Sequence, residues 1–112
     1  MQVPVNFSSR GLADSEARYG AGLADECIAR LARRADSLTR CRVEVVRDRT
    51  YVNTNAPVQV SVQLHVAGHP PLVAVRTDDE GEPGEGVGAP VRAAFDKVDA
   101  QLRTLQGKRN QH

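Results

Sequence analysis

Residues 57–66, PVQVSVQLHV, carry the pattern that decides the fold. Apolar and polar side chains alternate strictly along this stretch: Val58, Val60, Val62, Leu64 and Val66 against Gln59, Ser61, Gln63 and His65. Alternation with a period of two predicts a strand that buries one face and leaves the other wet, which is typical of an antiparallel sheet. Such a sheet needs a second layer over its apolar face.

Three further stretches are predicted as strands: MQVPVNF (1–7), RCRVEVV (40–46) and LVAVRT (72–77). In the second of them, Cys41, Val43 and Val45 are expected to point inward. Pro4 has no N–H to donate, so the first strand is expected at an edge of the sheet. DRTYVNTNAP (48–57) is predicted as a loop and AGHPP (67–71) as a turn.

Two amphipathic helices are available to cover the sheet. The first is predicted from Ser15 to Ala35, with Asp14 or Ser15 as N-cap. Its apolar stripe consists of Ala24, Cys27, Ile28, Leu31, Ala35 and Leu38. Gly20 and Gly22 are expected to weaken its first turns. The second helix is predicted to begin at Pro90, a favourable first residue because its missing N–H costs nothing there. Its apolar stripe consists of Val91, Ala94, Phe95, Val98, Leu102 and Leu105.

The predicted order is therefore β-α-β-β-β-α. We expect an α+β fold in which a four-stranded, mainly antiparallel sheet carries two helices packed side by side on one face. Residues 1–108 are predicted to form a single domain and residues 109–112 a basic, polar tail. No apolar run approaches the ~20 residues of a membrane span, and the first ten residues do not have the pattern of a secretory leader. A cytoplasmic protein is the expectation.

Charge is distributed unevenly along the chain, although the net charge is only +1. Residues 28–49 contain seven arginines against three carboxylates, and residues 86–112 contain five basic groups against two. Between them, DDEGEPGE (78–85) concentrates five carboxylates in the predicted loop 78–89. The small net charge is therefore the balance of two basic segments and one acidic segment.

The basic residues of the two helices fall opposite the apolar stripes. If the helices lie side by side, the polar sides share one surface, formed by Arg30, Arg33 and Arg34 with Lys97 and Arg103. The guanidinium fork matches phosphate geometry, which favours a phosphate backbone as ligand. Aromatic residues for base stacking are scarce, so recognition would rest on shape and charge. The alternative is that these are merely solvated helix faces.

The order of elements, with IARLARRADSLTRCRVEVV (28–46) and FDKVDAQLRTL (95–105), resembles the hibernation promoting factor family, also called ribosome-associated inhibitor Y. In that family the first helix ends in a Leu–basic–basic stretch before a V-x-V strand. The closing helix carries a "DK-apolar-D-x-Q-apolar-basic" run, matched here by Asp96, Lys97, Val98, Asp99, Gln101, Leu102 and Arg103. The resemblance extends from residue 1 to about residue 108.

The resemblance implies a protein that binds the small ribosomal subunit and its rRNA between head and body. There it would block messenger and transfer RNA sites in stationary phase or under stress. Family positions against rRNA correspond to Arg30, Arg33, Arg34, Lys97 and Arg103; Lys108 and Arg109 match only the basic character of the tail. Ala100 and Thr104 replace usually basic residues, and the acidic loop is longer than is usual. The dimerising tail of long forms is not expected, so we predict a monomer off the ribosome.

Other kinds of site find little support in the sequence. Cys27 and Cys41 are predicted to be reduced thiols, and neither they nor His65 and His69 have metal-ligand spacing. The acidic loop does not fit a calcium loop, but could shield the basic helices. We expect no catalytic residues, no cofactor, no metal and no small-molecule substrate. Two other functions stay open: a structured-RNA module of the double-stranded-RNA-binding kind, and a protein-interaction domain.

Overall fold

The computed structural model describes residues 3–47, 58–78 and 87–109. Its elements are β1 (Val5–Arg10), α1 (Asp14–Ala32), β2 (Leu38–Arg47), β3 (Val58–Val66), β4 (His69–Asp78) and α2 (Gly88–Arg109). The predicted α+β class and the order β-α-β-β-β-α are confirmed. The predicted loop 48–57 and residues 79–86 of the acidic loop lie outside the described residues.

The four strands form one sheet in the order β1-β2-β3-β4. β1 runs parallel to β2, and the other two pairings are antiparallel. A parallel pair needs a crossover, which α1 supplies. β1 is an edge strand, as Pro4 predicted. β4 is the other edge strand. Pro70 and Pro71 lie directly after its first residue, at a position where a missing N–H is tolerated.

Both helices cover one face of the sheet, as predicted: α1 packs on β1 and β2, and α2 packs on β3 and β4. The alternating residues of β3 meet their expected neighbours, since Val62 lies between Val43 and Ala74. Val43 and Val62 are fully buried, and so is Leu64. The core therefore lies between the sheet and the helices, and is built mainly from Val, Leu and Ala.

The first helix differs from its prediction at both ends. It ends at Ala32 rather than Ala35, because the Arg34 N–H bonds the Leu31 carbonyl (3.0 Å) in a tighter turn. Leu38, predicted on the helical stripe, is instead the first residue of β2, although it is buried as expected. At the start, Ala13 occupies the N-cap and donates its N–H to Glu16 (3.2 Å), so the predicted Asp14 or Ser15 cap is wrong.

Gly20 does not interrupt α1, which is continuous through both glycines. Gly20 is buried, and a Cβ at this position would lie 3.1 Å from the Phe7 ring. The missing side chain thus lets β1 and α1 approach closely. α2 begins at Gly88 rather than Pro90, but Pro90 still lies in the first turn, where no N–H is required.

Gly11, the residue directly after β1, has a backbone conformation that favours glycine. Its φ is +77°, and a Cβ would clash with the carbonyl oxygen of Arg47. Gly68 has φ +74° in the short β3–β4 turn. Within the described ranges, neither helix is long and apolar enough to cross a lipid bilayer.

A bidentate ion pair ties the end of β2 to the start of α1. The two terminal nitrogens of Arg47 donate to the two carboxylate oxygens of Glu16 at 2.7 and 2.8 Å. Both side chains are largely shielded, with exposed fractions of 16% and 27%. The hydrogen bonds from Arg47 hold the pKa of Glu16 below its ordinary value, while Glu16 raises the pKa of Arg47.

We expect Glu16→Gln to lower the free energy of unfolding at neutral pH by about 1–3 kcal/mol, because it leaves the Arg47 fork half paired. The pKa of Glu16 is lower in the folded than in the unfolded chain. The stabilisation is therefore complete above the unfolded value and is lost as the pH falls through the folded one. Urea unfolding at neutral pH and at about pH 3 should show the difference from the wild type shrinking in acid.

Glu44→Gln is the matched control for this prediction. The Glu44 carboxylate lies 3.8 Å from Arg10, and both side chains are well exposed. Its loss should cost at most about 0.5 kcal/mol at either pH. Equal effects of the two substitutions would contradict the special role of the Glu16–Arg47 pair.

Candidate nucleic-acid interface

Arginines from both helices line a groove between α1 and α2, which we call the helix groove. Its basic residues are Arg30 on α1, Arg33 and Arg34 at the end of α1, and Arg103 on α2. Asp96 and Asp99 also line it, so two positive charges are in excess. Of the seven predicted site residues, the structure brings these four together.

Asp99 neutralises part of this charge. Its carboxylate forms ion pairs with Arg34 and, at 3.4 Å, with Arg103 one helical turn further on. Gln106 also donates to the backbone carbonyl of Arg34 (3.0 Å). These contacts fasten the end of α1 to α2 and leave Arg34 and Arg103 partly occupied by protein.

Arg30 and Arg33 are the available cations of the helix groove. Both are exposed, and within the described part of the chain neither forms an ion pair with a carboxylate. A phosphate contact here would not have to displace an existing partner. These two residues are therefore the strongest candidates for anion binding.

Lys97 does not line the helix groove, and its predicted contact with RNA stays a prediction. Its ammonium group donates to the Val75 carbonyl at 3.2 Å. One turn further along α2, Gln101 donates to the Val73 carbonyl at 3.0 Å. These two hydrogen bonds show that the side of α2 bearing Lys97 faces β4. Around the helix axis, Lys97 lies about 120° from Arg103, which lines the groove.

Lys108 and Arg109 are in the last turn of α2. Their side chains fall outside the described part of the structure, so the predicted tail contacts stay predictions.

Tyr19 and Arg92 extend the seam between the helices and are absent from the predicted site. Arg92 donates to the Tyr19 hydroxyl at 3.2 Å, and Tyr19 is 53% exposed. The sequence holds a signal for Arg92: it precedes Arg103 by eleven positions, which places both within about 20° on one side of a helix. An exposed tyrosine ring offers a stacking surface for an unpaired base.

The two cysteines do not add chemistry to the groove. Both are free; Cys27 lines the helix groove and Cys41 is fully buried. Burial raises the pKa of the Cys27 thiol and raises that of Cys41 to about 12. Both are therefore protonated at neutral pH and weak nucleophiles. Among the described residues, no three His, Cys, Asp or Glu side chains lie together so as to hold a metal ion.

Solved structures share this fold over nearly the whole chain. A ribosomal subunit interface protein from Coxiella burnetii superimposes with a TM-score of 0.65 at 13% identity, covering 94% of this chain and 99% of its own. The N-terminal domain of Protein Y from Thermus thermophilus gives a TM-score of 0.60 at 18% identity, with the same coverage of both chains. These neighbours are consistent with the hibernation promoting factor resemblance, and they confirm the fold it implies. No protein-family model matches the chain, and no curated protein matches it in sequence.

Proposed function

We propose that this chain is a ribosome-associated factor that binds rRNA of the small ribosomal subunit through the helix groove. Bound there, it occludes messenger and transfer RNA and represses translation under stress or in stationary phase. It acts without catalysis, as a monomer off the ribosome, in the cytoplasm. The observation that carries the proposal is that two exposed arginines, Arg30 and Arg33, lie in a groove between the helices and form no ion pair with a described carboxylate.

Three features support a phosphate backbone as the ligand. Arg30 and Arg33 present planar forks suited to phosphate. The helix groove is open to solvent rather than enclosed, as a small-molecule site would be. Two neighbours with this fold are a ribosomal subunit interface protein and a Protein Y domain.

Sedimentation with purified small subunits tests the proposal. We expect the wild-type chain to pellet with the subunit and to be released by excess transfer RNA, because the two compete for one cleft. Binding that survives transfer RNA but is lost to an arbitrary RNA duplex would instead support a general structured-RNA module. A chain that stays in the supernatant with the subunit would contradict the proposal.

Asp99→Asn is expected to tighten binding to the small subunit by roughly 3–10-fold at ~0.1 M salt, because it releases Arg34 and Arg103 toward phosphate. The slope of log affinity against log salt concentration should become steeper by up to about two units, roughly one for each released arginine that contacts a phosphate. Filter binding over a salt series measures both quantities.

Asp14→Asn is the matched control, since it makes the same charge change at the exposed start of α1, outside the helix groove. It should alter affinity much less. If both variants change binding equally, net charge rather than the release of two arginines is responsible.

A further inference from the structure

The sheet has a second face, which neither α1 nor α2 covers; we call it the open sheet face. Cys41 and Val43 are fully buried against the helices. Alternation along β2 therefore points Arg40 and Arg42 to the other side. The register continues this face across the sheet, because Arg42 is paired with Asn6 on one side and Gln63 on the other.

The open sheet face is basic and rich in hydrogen-bonding groups. Arg40 and Arg42 are exposed and form no ion pair with any described carboxylate. Glu44 is the one carboxylate on this face within the described residues, and Arg10 lies 3.8 Å from it. The face therefore offers two uncommitted arginines, as many as the helix groove.

A shallow groove gathers these groups at one end of the face. Asn6, Ser8, Arg40, Arg42 and Gln63 line it, together with one apolar residue, Phe7. Two guanidinium forks, two amides and a hydroxyl are suited to phosphate and ribose oxygens. A protein interface would instead be expected to hold apolar anchors at its centre. The exposed Val73 and Val75 share this face, paired with Gln63 and Ser61, but they lie on the edge strand β4 and do not line the groove. Charge and chemistry thus favour RNA as the occupant.

The two basic surfaces point in opposite directions. The sheet and a helix layer about 10 Å thick separate them. An RNA segment lying along the helix groove therefore leaves the open sheet face free for another segment.

We propose that the open sheet face binds a second RNA segment, so that the domain holds two segments at once, one on each side. This inference rests on the proposed RNA binding by the helix groove. It assigns Arg40 and Arg42 as phosphate-binding residues, and it deepens the proposed function by making the domain a bridge between two RNA elements.

A sandwich-capture experiment tests the bridge. An RNA duplex of about 16 base pairs, the span of one small RNA-binding domain, is immobilised and loaded with the full chain. A second, labelled duplex is then added. The wild-type chain should capture it, whereas Arg40→Gln/Arg42→Gln should still bind the first duplex but lose capture of the second by tenfold or more. Circular dichroism checks that the variant is folded.

Two controls separate the roles of charge and geometry. Arg40→Lys/Arg42→Lys keeps both charges and should restore part of the capture. Arg10→Gln removes a charge that is already paired with Glu44 and should change capture little. For the double glutamine variant, the slope of log affinity for the second duplex against log salt concentration should become shallower by about two units, because two phosphate contacts are lost.

The outcomes distinguish this inference from the proposed function. If the wild-type chain fails to bind the first duplex, the bridge is overturned, whereas the proposed function is tested separately by sedimentation with the small subunit. Binding of the first duplex without capture of the second overturns the bridge alone, as does unchanged capture by Arg40→Gln/Arg42→Gln. Capture of labelled polyglutamate in place of the second duplex would also overturn it, and would point to an acidic protein.

Discussion

Arg30→Glu/Arg33→Glu is expected to abolish sedimentation with the small ribosomal subunit while leaving the fold intact. Each substitution removes a charge-assisted contact, worth about 1.5–3 kcal/mol, and adds repulsion from phosphate. Together they should weaken binding by at least roughly 100-fold. Both side chains are exposed, so the thermal unfolding midpoint should stay close to that of the wild type.

Arg18→Glu is the matched control for this double reversal. Arg18 is an exposed residue of the same helix, but it lies about 120° around the axis from Arg30. It should weaken binding only through net charge. Were the double variant to sediment like its parent, the helix groove would not be the binding surface.

Lys97 is best left out of the reversal. Its ammonium group donates a hydrogen bond to the Val75 carbonyl of the edge strand β4. Lys97→Glu would therefore perturb β4 as well as any RNA contact. A loss of binding in that variant could not be assigned to lost phosphate contacts alone.

Leu64→Ala is expected to lower the free energy of unfolding by about 2–5 kcal/mol. Leu64 is fully buried on β3, an interior strand, paired with Cys41 on β2 and Leu72 on β4. Three strands and the helix layer surround the site, so the cavity can collapse only in part. Urea unfolding measures the loss, which is a large share of the 5–15 kcal/mol of a typical domain.

Gln63→Ala is the control for this substitution, because Gln63 is the adjacent residue on the same strand but lies on the open sheet face. Its substitution should stay within about 0.5–1 kcal/mol. Similar losses at positions 63 and 64 would contradict the one-sided burial of β3.

Alternation and helical periodicity predicted the elements of this fold, but not every boundary. The α1 stripe was read through to Leu38, because helical spacing happened to place Ala35 and Leu38 on the apolar side. Both are buried, yet the helix ends at Ala32 and Leu38 starts β2. Burial alone does not distinguish the last turn of a helix from the first residue of a strand over the same core.

The closing-helix motif illustrates the corresponding limit for the site. Its residues were grouped by resemblance, but the structure gives them different tasks. Val98 and Leu102 fill the core, and Asp99 holds Arg34 and Arg103. Lys97 and Gln101 bond the carbonyls of β4. A sequence pattern assigns a residue to a side of a helix, but not to the neighbour that this side meets.

The amino-acid sequence by itself determined the class of fold, the order of its elements and the inward faces of β2 and β3. These features follow from local periodicity, which a single segment displays without its neighbours. Only the tertiary structure decided which arginines are free. Arg34 and Arg103 meet Asp99, while Arg30, Arg33, Arg40 and Arg42 meet no described carboxylate. Pairing depends on distances of a few ångströms between side chains far apart in the chain, and these are fixed only when the helices pack on the sheet.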